Sequence, residues 1–453
     1  MPASSTKPSS PPSSASGAAG FRRELGLFDA AVVVAGGVIG VGIFANPSNV
    51  ARVLENPVLI LLAWIIGGIV ALLGGFIWAE LASRLPHVGG QYIYLARAYH
   101  PLVGFLYGIA LLFIINGGAL AAVAILFASY VDRSFVPLGG PMGVRLLAAA
   151  ALLTLTAINV IGVRAGKLTN NLLMAAKIGG MIVLVLLAFG RGAASASQFD
   201  LASVTITGSS VQLLFTALVP ILFAYGGWQN CASIAGEIKD PARNLARANV
   251  LGVVIVVTLY LSLNLAYLRV LTPMQIAGSP ALAADMARTV AGDLGARFVA
   301  TLIVISSLGF LAVIILTGAR LCYAMAVDGL FFKPAGRLHP RYRTPVFALW
   351  FQAAISIALL ATNTYDQLLS YVVFADWLFF GLTAASLFVL RRKHFDTDTV
   401  ARTPGHPITT SLFVAVAVGI VINSFLAYTT QSLIGTTILV LATLAYFVVI
   451  RKK

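Results

Sequence analysis

The segment Gly36-Gly37-Val38-Ile39-Gly40-Val41-Gly42-Ile43-Phe44, GGVIGVGIF, decides how the rest of the chain is read. It lies inside a long apolar run with the make-up of a membrane-spanning helix. Four glycines in nine residues undercut that helix, since each weakens it by about 0.5–1 kcal/mol relative to alanine. Backbone groups freed by a break in hydrocarbon are tolerated only where protein covers them or they line a wet cavity. The stretch therefore predicts a break near Val38–Gly42 with its bare backbone groups turned to something polar. The half-helix that starts after the break presents a positive dipole end, suited to an anionic group such as a carboxylate. The alternative is that the glycines only let two helices pack closely. Four of them, followed by Asn46-Pro47, favour the break.

Working outward, the 453 residues are 59% hydrophobic and 10% charged, where soluble chains run near a quarter charged. Apolar runs long enough to cross a bilayer recur from end to end, rich in Leu, Ala and Gly and without the alternation of a barrel. The chain reads as an all-α polytopic membrane protein with twelve spans, at about 27–50, 57–82, 101–131, 144–163, 168–190, 211–234, 247–271, 298–325, 345–361, 367–390, 408–427 and 431–450. Residues 1–20, MPASSTKPSSPPSSASGAAG, read as a disordered tail and lack the make-up of a cleavable signal; 21–453 read as one twelve-helix domain.

The net charge of +15 does not point to nucleic acid, because the basic residues fall in short loops with no continuous basic face. With the N-terminus inside, the tails and inner loops hold 22 Lys and Arg, and the outer loops hold seven. That bias places both termini in the cytoplasm, with the chain in the plasma (cytoplasmic) membrane. Cys231 and Cys322 lie in or beside apolar helices and read as packing residues, with no disulfide framework and no metal site. There is no P-loop and no potassium-type filter sequence. The five histidines, His87, His100, His339, His394 and His406, sit at loops or span ends. No catalysis and no cofactor are expected.

A second interruption lies in span 6, where Tyr225-Gly226-Gly227-Trp228 puts two glycines in the middle of an apolar run. Two Gly-interrupted helices, each first in a five-helix half, point to an inverted-repeat transporter with its site at the bilayer midplane. The repeats would be about 27–190 and 211–390, with the extra helices at about 408–450 outside the core.

At these residues the chain resembles the amino acid–polyamine–organocation (APC) superfamily, and within it the L-type amino acid transporters and their bacterial homologues. The likeness is carried by GGVIGVGIFANPSNV in span 1, AELASRLPHVGGQYIYLARAYHPLVGFLYG across spans 2–3 and LTNNLLMAAKIGGMIVLV in span 5. It continues through FAYGGWQNCASIAGEIKDPARNLARA in span 6 and LTGARLCYAMAVDGL in span 8. The resemblance implies a LeuT-type fold of 5+5 inverted repeats with broken helices 1 and 6, moving an amino acid by alternating access. It implies that backbone amides around Gly40, Val41 and Gly42 hold the substrate carboxylate. The carbonyls of Val38, Ile39, Phe223, Ala224 and Gly226 would hold the ammonium, with Phe223 as a gate; the bland alternative for Phe223 is a packing aromatic. Family members often carry a small polar residue where this chain has Val41, so here the backbone alone must hold the carboxylate.

Lys177, in span 5, lies too deep to snorkel and needs a partner or a purpose. In relatives of this fold a lysine here takes the place of a bound sodium ion, which disfavours sodium dependence. Its ammonium would bridge the span 1 break and span 8 hydroxyls, with Ser306 and Ser307 as candidates. Three roles stand open: a proton carrier in a proton-coupled symporter, a fixed tether in an exchanger, or a buried structural cation.

Glu80 with Arg84, and Glu237 with Lys239, read as loop-facing ion pairs or inner-gate contacts; Asp376 in span 10 has no neighbouring base and reads as a cavity or helix-packing group. No acid lies near either break in the sequence, so a neutral amino acid is the expected substrate. Asn116, with Gly117 and Gly118 in IINGGALAA, is a candidate to face it. Eukaryotic members of the likened family bind an accessory glycoprotein through a cysteine in the outer loop after span 3. That loop, VDRSFVPLGGPMGVR, has none, so no disulfide-linked accessory subunit is expected. The expected partners are the amino acid and membrane lipid, with the chain as a monomer. The competing classes are a channel or receptor, which would need a filter or a soluble domain, and a membrane enzyme, which would need clustered acids or histidines within spans.

Overall fold

A computed structural model of the chain describes residues 26–85, 90–161, 167–191, 208–229, 238–327, 329–393 and 401–450. The expected tail over 1–20, together with His87, Cys231, Glu237 and His394, lies outside these residues. Among the described residues there are helices and connections and no strand.

Span 1 is two helices. α1 (Leu27–Val38) and α2 (Gly42–Leu54) meet at 48° across the glycine stretch. α3 (Pro57–Arg84) follows; Asn56 caps it by accepting from the amides of Val58 and Leu59, and Pro57 opens it where a missing N–H does no harm. A short α4 (Gly90–Ala98) fills part of the connection read above as loop.

The third span contains a feature that periodicity did not reveal. α5 (Pro101–Ala110) passes into a π-helical turn over Leu111–Asn116 and on into α6 (Gly117–Ser134). Such π-bulges widen a helix locally and are frequent at functional sites. Then come α7 (Pro141–Ile161), α8 (Lys167–Arg191) and α9 (Gly208–Tyr225). α9 stops where the second glycine pair begins.

In the second half, α10 (Pro241–Val270) is followed by the short α11 (Pro273–Gly278). α12 (Leu282–Val327) begins well before the expected span 8 and kinks at Gly292, whose φ of 68° suits glycine. The expected outer connection is thus largely helical. α13 (Val346–Thr362) and α14 (Tyr365–Arg392) follow, the latter started by a capping box in which Thr364 and Gln367 satisfy each other's backbone amides. α15 (Ile408–Ala427) and α16 (Thr429–Ala445) follow, and α16 runs on into a second π-helical turn over Tyr446–Ile450. Eight helices among the described residues are long and apolar enough to cross a membrane, and the bent α1–α2 pair makes a ninth. Ala175–Gly190, Val211–Tyr225 and Val346–Thr362 are shorter apolar helices.

The two interrupted regions pack against each other. A Cβ on Gly42 would sit 3.1 Å from the Cα of Ala224, and one on Gly227 would sit 2.7 Å from the carbonyl oxygen of Gly37. Gly227 has φ of 124°, a second reason why only glycine fits there. The glycines therefore do both things weighed above: they end helices, and they let two main chains approach. Behind the contact lies an aromatic wall in which Tyr225 packs on Trp64 at 5.6 Å and on Tyr260 at 5.2 Å between ring centroids. All three rings are fully buried.

Candidate functional site

The gap between α1 and α2 is three residues wide. Gly40 folds back, its amide donating to the Val38 carbonyl at 2.7 Å, and the Phe44 amide donates to the Val41 carbonyl at 3.0 Å. No side chain caps α2. The amides of Val41 and Gly42, at the very start of the helix, therefore have no hydrogen-bond acceptor among the described residues. The first amides of a helix are a ready anion site. A Cβ on Gly40 would meet nothing closer than the Phe310 ring at 3.9 Å, so the chain is open at this point.

The span 6 gap is arranged differently. The Gly226 amide donates to the Phe223 carbonyl at 3.2 Å, and the Gly227 amide donates to the side-chain oxygen of Gln229 at 2.9 Å. The last carbonyls of α9 form an electronegative helix end. The two ends are held in register by Asn46, whose side chain donates to the Pro220 carbonyl at 2.7 Å and accepts from the Tyr365 hydroxyl at 2.8 Å. Both of these bonds cross between distant parts of the chain, and Asn46 is fully buried.

Both gaps open on one cavity of about 210 Å³. Val38, Gly40, Val41, Gly42, Asn116, Phe223, Ala224 and Gly226 line it. Asn116 ends the π-helical turn. Ile39 does not line the cavity; its carbonyl accepts from the ammonium of Lys177 at 2.8 Å. Lys177 borders instead a separate void of about 10 Å³, with Ser306, Phe44 and Ile303 among its walls. That is the lower limit for holding one water. The hydroxyl of Ser306 is buried without a hydrogen bond, and that of Ser307 donates to its own helix at the Ile303 carbonyl, 2.7 Å away. The lysine thus touches the break directly; Ser306 borders the same void without bonding it, and Ser307 bonds its own helix instead.

Two sequence readings need correction. The first is that no acid lies near either break. Asp376 lines the same cavity, together with Tyr107, Phe310, Thr317 and Gln229, none of which was singled out. The signal was in the sequence: an acid in the middle of a span is costly, by about 2.5–3.5 kcal/mol on insertion scales, and normally faces a cavity. The separation from the break by more than 300 residues concealed it. The second concerns Glu80, read with Arg84 as a loop-facing ion pair or inner-gate contact: the pair forms, at 2.8 Å, but it is closed off from solvent. Its carboxylate is fully buried and accepts from Arg84 Nε at 2.8 Å, Arg391 Nη2 at 2.7 Å and the Thr403 amide at 2.7 Å. Arg391 and Thr403 come from 311 and 323 residues away.

A helical membrane protein in which a broken span and the glycine-terminated end of a second helix meet at a small polar-ended cavity is, by architecture, a candidate carrier of small solutes. The chain belongs to the amino acid permease family, whose profile matches residues 25–450. The mouse b(0,+)-type amino acid transporter 1 is 32% identical over 414 residues, covering 90% of this chain and 82% of that protein. The serine/threonine exchanger SteT of Bacillus subtilis (strain 168) is 29% identical over 401 residues, covering 87% and 90%. The mouse large neutral amino acids transporter small subunit 2 is 30% identical over 400 residues, covering 87% and 75%. The likeness to the L-type transporters and their bacterial homologues is therefore real, and amino acid transport is the function the family carries.

Proposed function

We propose that the chain is a sodium-independent L-amino acid exchanger of LeuT-type fold, working by alternating access in the plasma membrane with both termini inside. The observation that carries this reading is the meeting of the α1–α2 break with the end of α9 at one cavity, the first offering free amides and the second a carbonyl end. A zwitterion fits that polarity. Its carboxylate takes the free amides of Val41 and Gly42, with Gly40, proposed for the same set, already donating its amide to Val38; its ammonium takes the carbonyls of Val38, Phe223, Ala224 and Gly226. The Ile39 carbonyl, proposed for the same set, is shared with Lys177. Phe223 is the gate beside the bound head group. The packing of α1 on α10 and of α9 on α3 supports the 5+5 repeat, since each broken span leans on the second span of the other half.

Lys177 is the tether. Its ammonium, anchored on the Ile39 carbonyl, fills the place of a coupling cation and holds α8 to the break. A proton-coupled symporter is the second reading, favoured by one observation: no carboxylate pairs with Lys177 among the described residues. The expectation of a neutral substrate rested on the absence of an acid at the breaks. Asp376 removes that premise, and the head-group reading is proposed for L-amino acids as a class.

Reconstitution into proteoliposomes tests this. Labelled amino acid is expected to enter only when amino acid is present inside, with or without a pH gradient. Uptake into empty vesicles driven by the gradient alone would make the protein a symporter. No uptake under either condition would remove the transport reading itself.

A further inference from the structure

The amino acid head group carries no net charge, and the two helix ends suffice to bind it. The cavity contains one group more than that task needs. Asp376 is the one charged side chain among the described residues lining it. It makes no hydrogen bond and no ion pair among those residues, unlike Glu80, which is paired, and Lys177, which is bonded to Ile39. The acid is held in place by its neighbours. Val372, Val373, Trp377 and Phe380, from the same face of α14, line the cavity with it, and Tyr107 of α5 borders the space from another side. Helix α14 is rigidly started by its capping box and tied at its cytoplasmic end through Arg391 to Glu80. An acid so placed is neither a packing group nor a helix clip.

We infer that Asp376 is a specificity residue that receives a positively charged substrate side chain, making the cavity selective for basic amino acids. A carboxylate facing a small, partly desolvated space without a partner favours an occupant that supplies the missing positive charge, and such charge-assisted bonds are the strong ones. It also repels an acidic side chain and leaves an uncharged one with an unmatched anion beside it, which is how a site rejects competitors. This inference rests on the head-group reading above, because that reading fixes which end of the substrate the helix gaps take.

The probe pair is L-lysine and L-norleucine, which have the same carbon chain and differ only by the terminal ammonium. The expected result, in proteoliposomes or by binding to the purified full chain, is that lysine is preferred over norleucine by at least about tenfold in apparent affinity. Asp376→Asn should collapse that ratio towards one, and Asp376→Glu should keep it above one. Wild-type protein that binds norleucine and excludes lysine overturns the inference while leaving the amino acid reading intact. A lysine preference that survives in Asp376→Asn overturns the role of this residue. If neither probe nor any other amino acid binds the wild type, the head-group reading has failed first. The wild-type ratio decides the matter even if the Asn variant does not fold.

Discussion

Glu80 and Asp376 are both acids carried by membrane-spanning helices, and they are treated in opposite ways. Glu80 in α3 is fully buried and saturated, with two arginines and a backbone amide on its two oxygens. Asp376 in α14 faces a cavity and is bonded to nothing among the described residues. The first fastens α3 to α14 and to the chain before α15. The second is left available. A buried charge is kept at the depth of a membrane either because it is neutralised by permanent partners or because a transient partner arrives. The contrast separates a structural acid from a functional one without reference to either one's place in the sequence.

The comparison can be broken most directly at the saturated end. Glu80→Gln leaves Arg84 and Arg391 facing each other without their anion. The expected loss of stability is about 3–5 kcal/mol, read as a lower melting temperature in detergent. A variant that melts like the wild type would show that the network is not structural. Next in size is Gly42→Leu, where the added side chain meets Ala224 and Asn46 at 3.1 Å and overfills the contact between the gaps. Amino acid binding should be lost, with a stability cost of about 1–3 kcal/mol; unchanged affinity would remove the carboxylate site.

Lys177→Ala deletes the bond to Ile39, worth about 1.5–3 kcal/mol as a hydrogen bond to a charged group. Transport should be abolished or uncoupled, and wild-type uptake kinetics in this variant would reduce the lysine to a packing residue. The smallest stability effect is expected for Asp376→Asn. Because no partner is stranded, its melting temperature should match the wild type to within about 0.5 kcal/mol of stability. A large drop would mean that the aspartate is a fastener like Glu80, and the two acids would no longer differ in kind.

The residues show what can be read along a chain and what cannot. The break at Val38–Gly42 and the stop of α9 at Tyr225 were legible, because glycines act on the backbone at their own positions. So were the apolar spans, including α13 and α14 to within a few residues, since burial in lipid demands a continuous run. The π-helical turn at Leu111–Asn116 was not legible, because its residues are ordinary helix formers and only the neighbouring packing selects the wider turn. The helical stretches at α11 and the start of α12 were hidden for the reverse reason, their more polar composition resembling loop.

The sequence by itself determined that this is a helical membrane protein with two weakened spans, since composition and glycine placement have local consequences that no partner can cancel. It also marked Lys177 as a cation in need of an acceptor. Only the tertiary structure decided which groups meet: that Gly227 lies against Gly37, that Ile39 receives Lys177, that Arg391 reaches Glu80, and that Asp376 shares a cavity with a break more than 300 residues away. Electrostatic partnership depends on distance through space, and a folded bilayer-spanning bundle brings remote spans to within a few ångströms. That is why Asp376 could be read in the sequence as a cavity or packing acid, while the cavity it faces was fixed only by the packing of the helices.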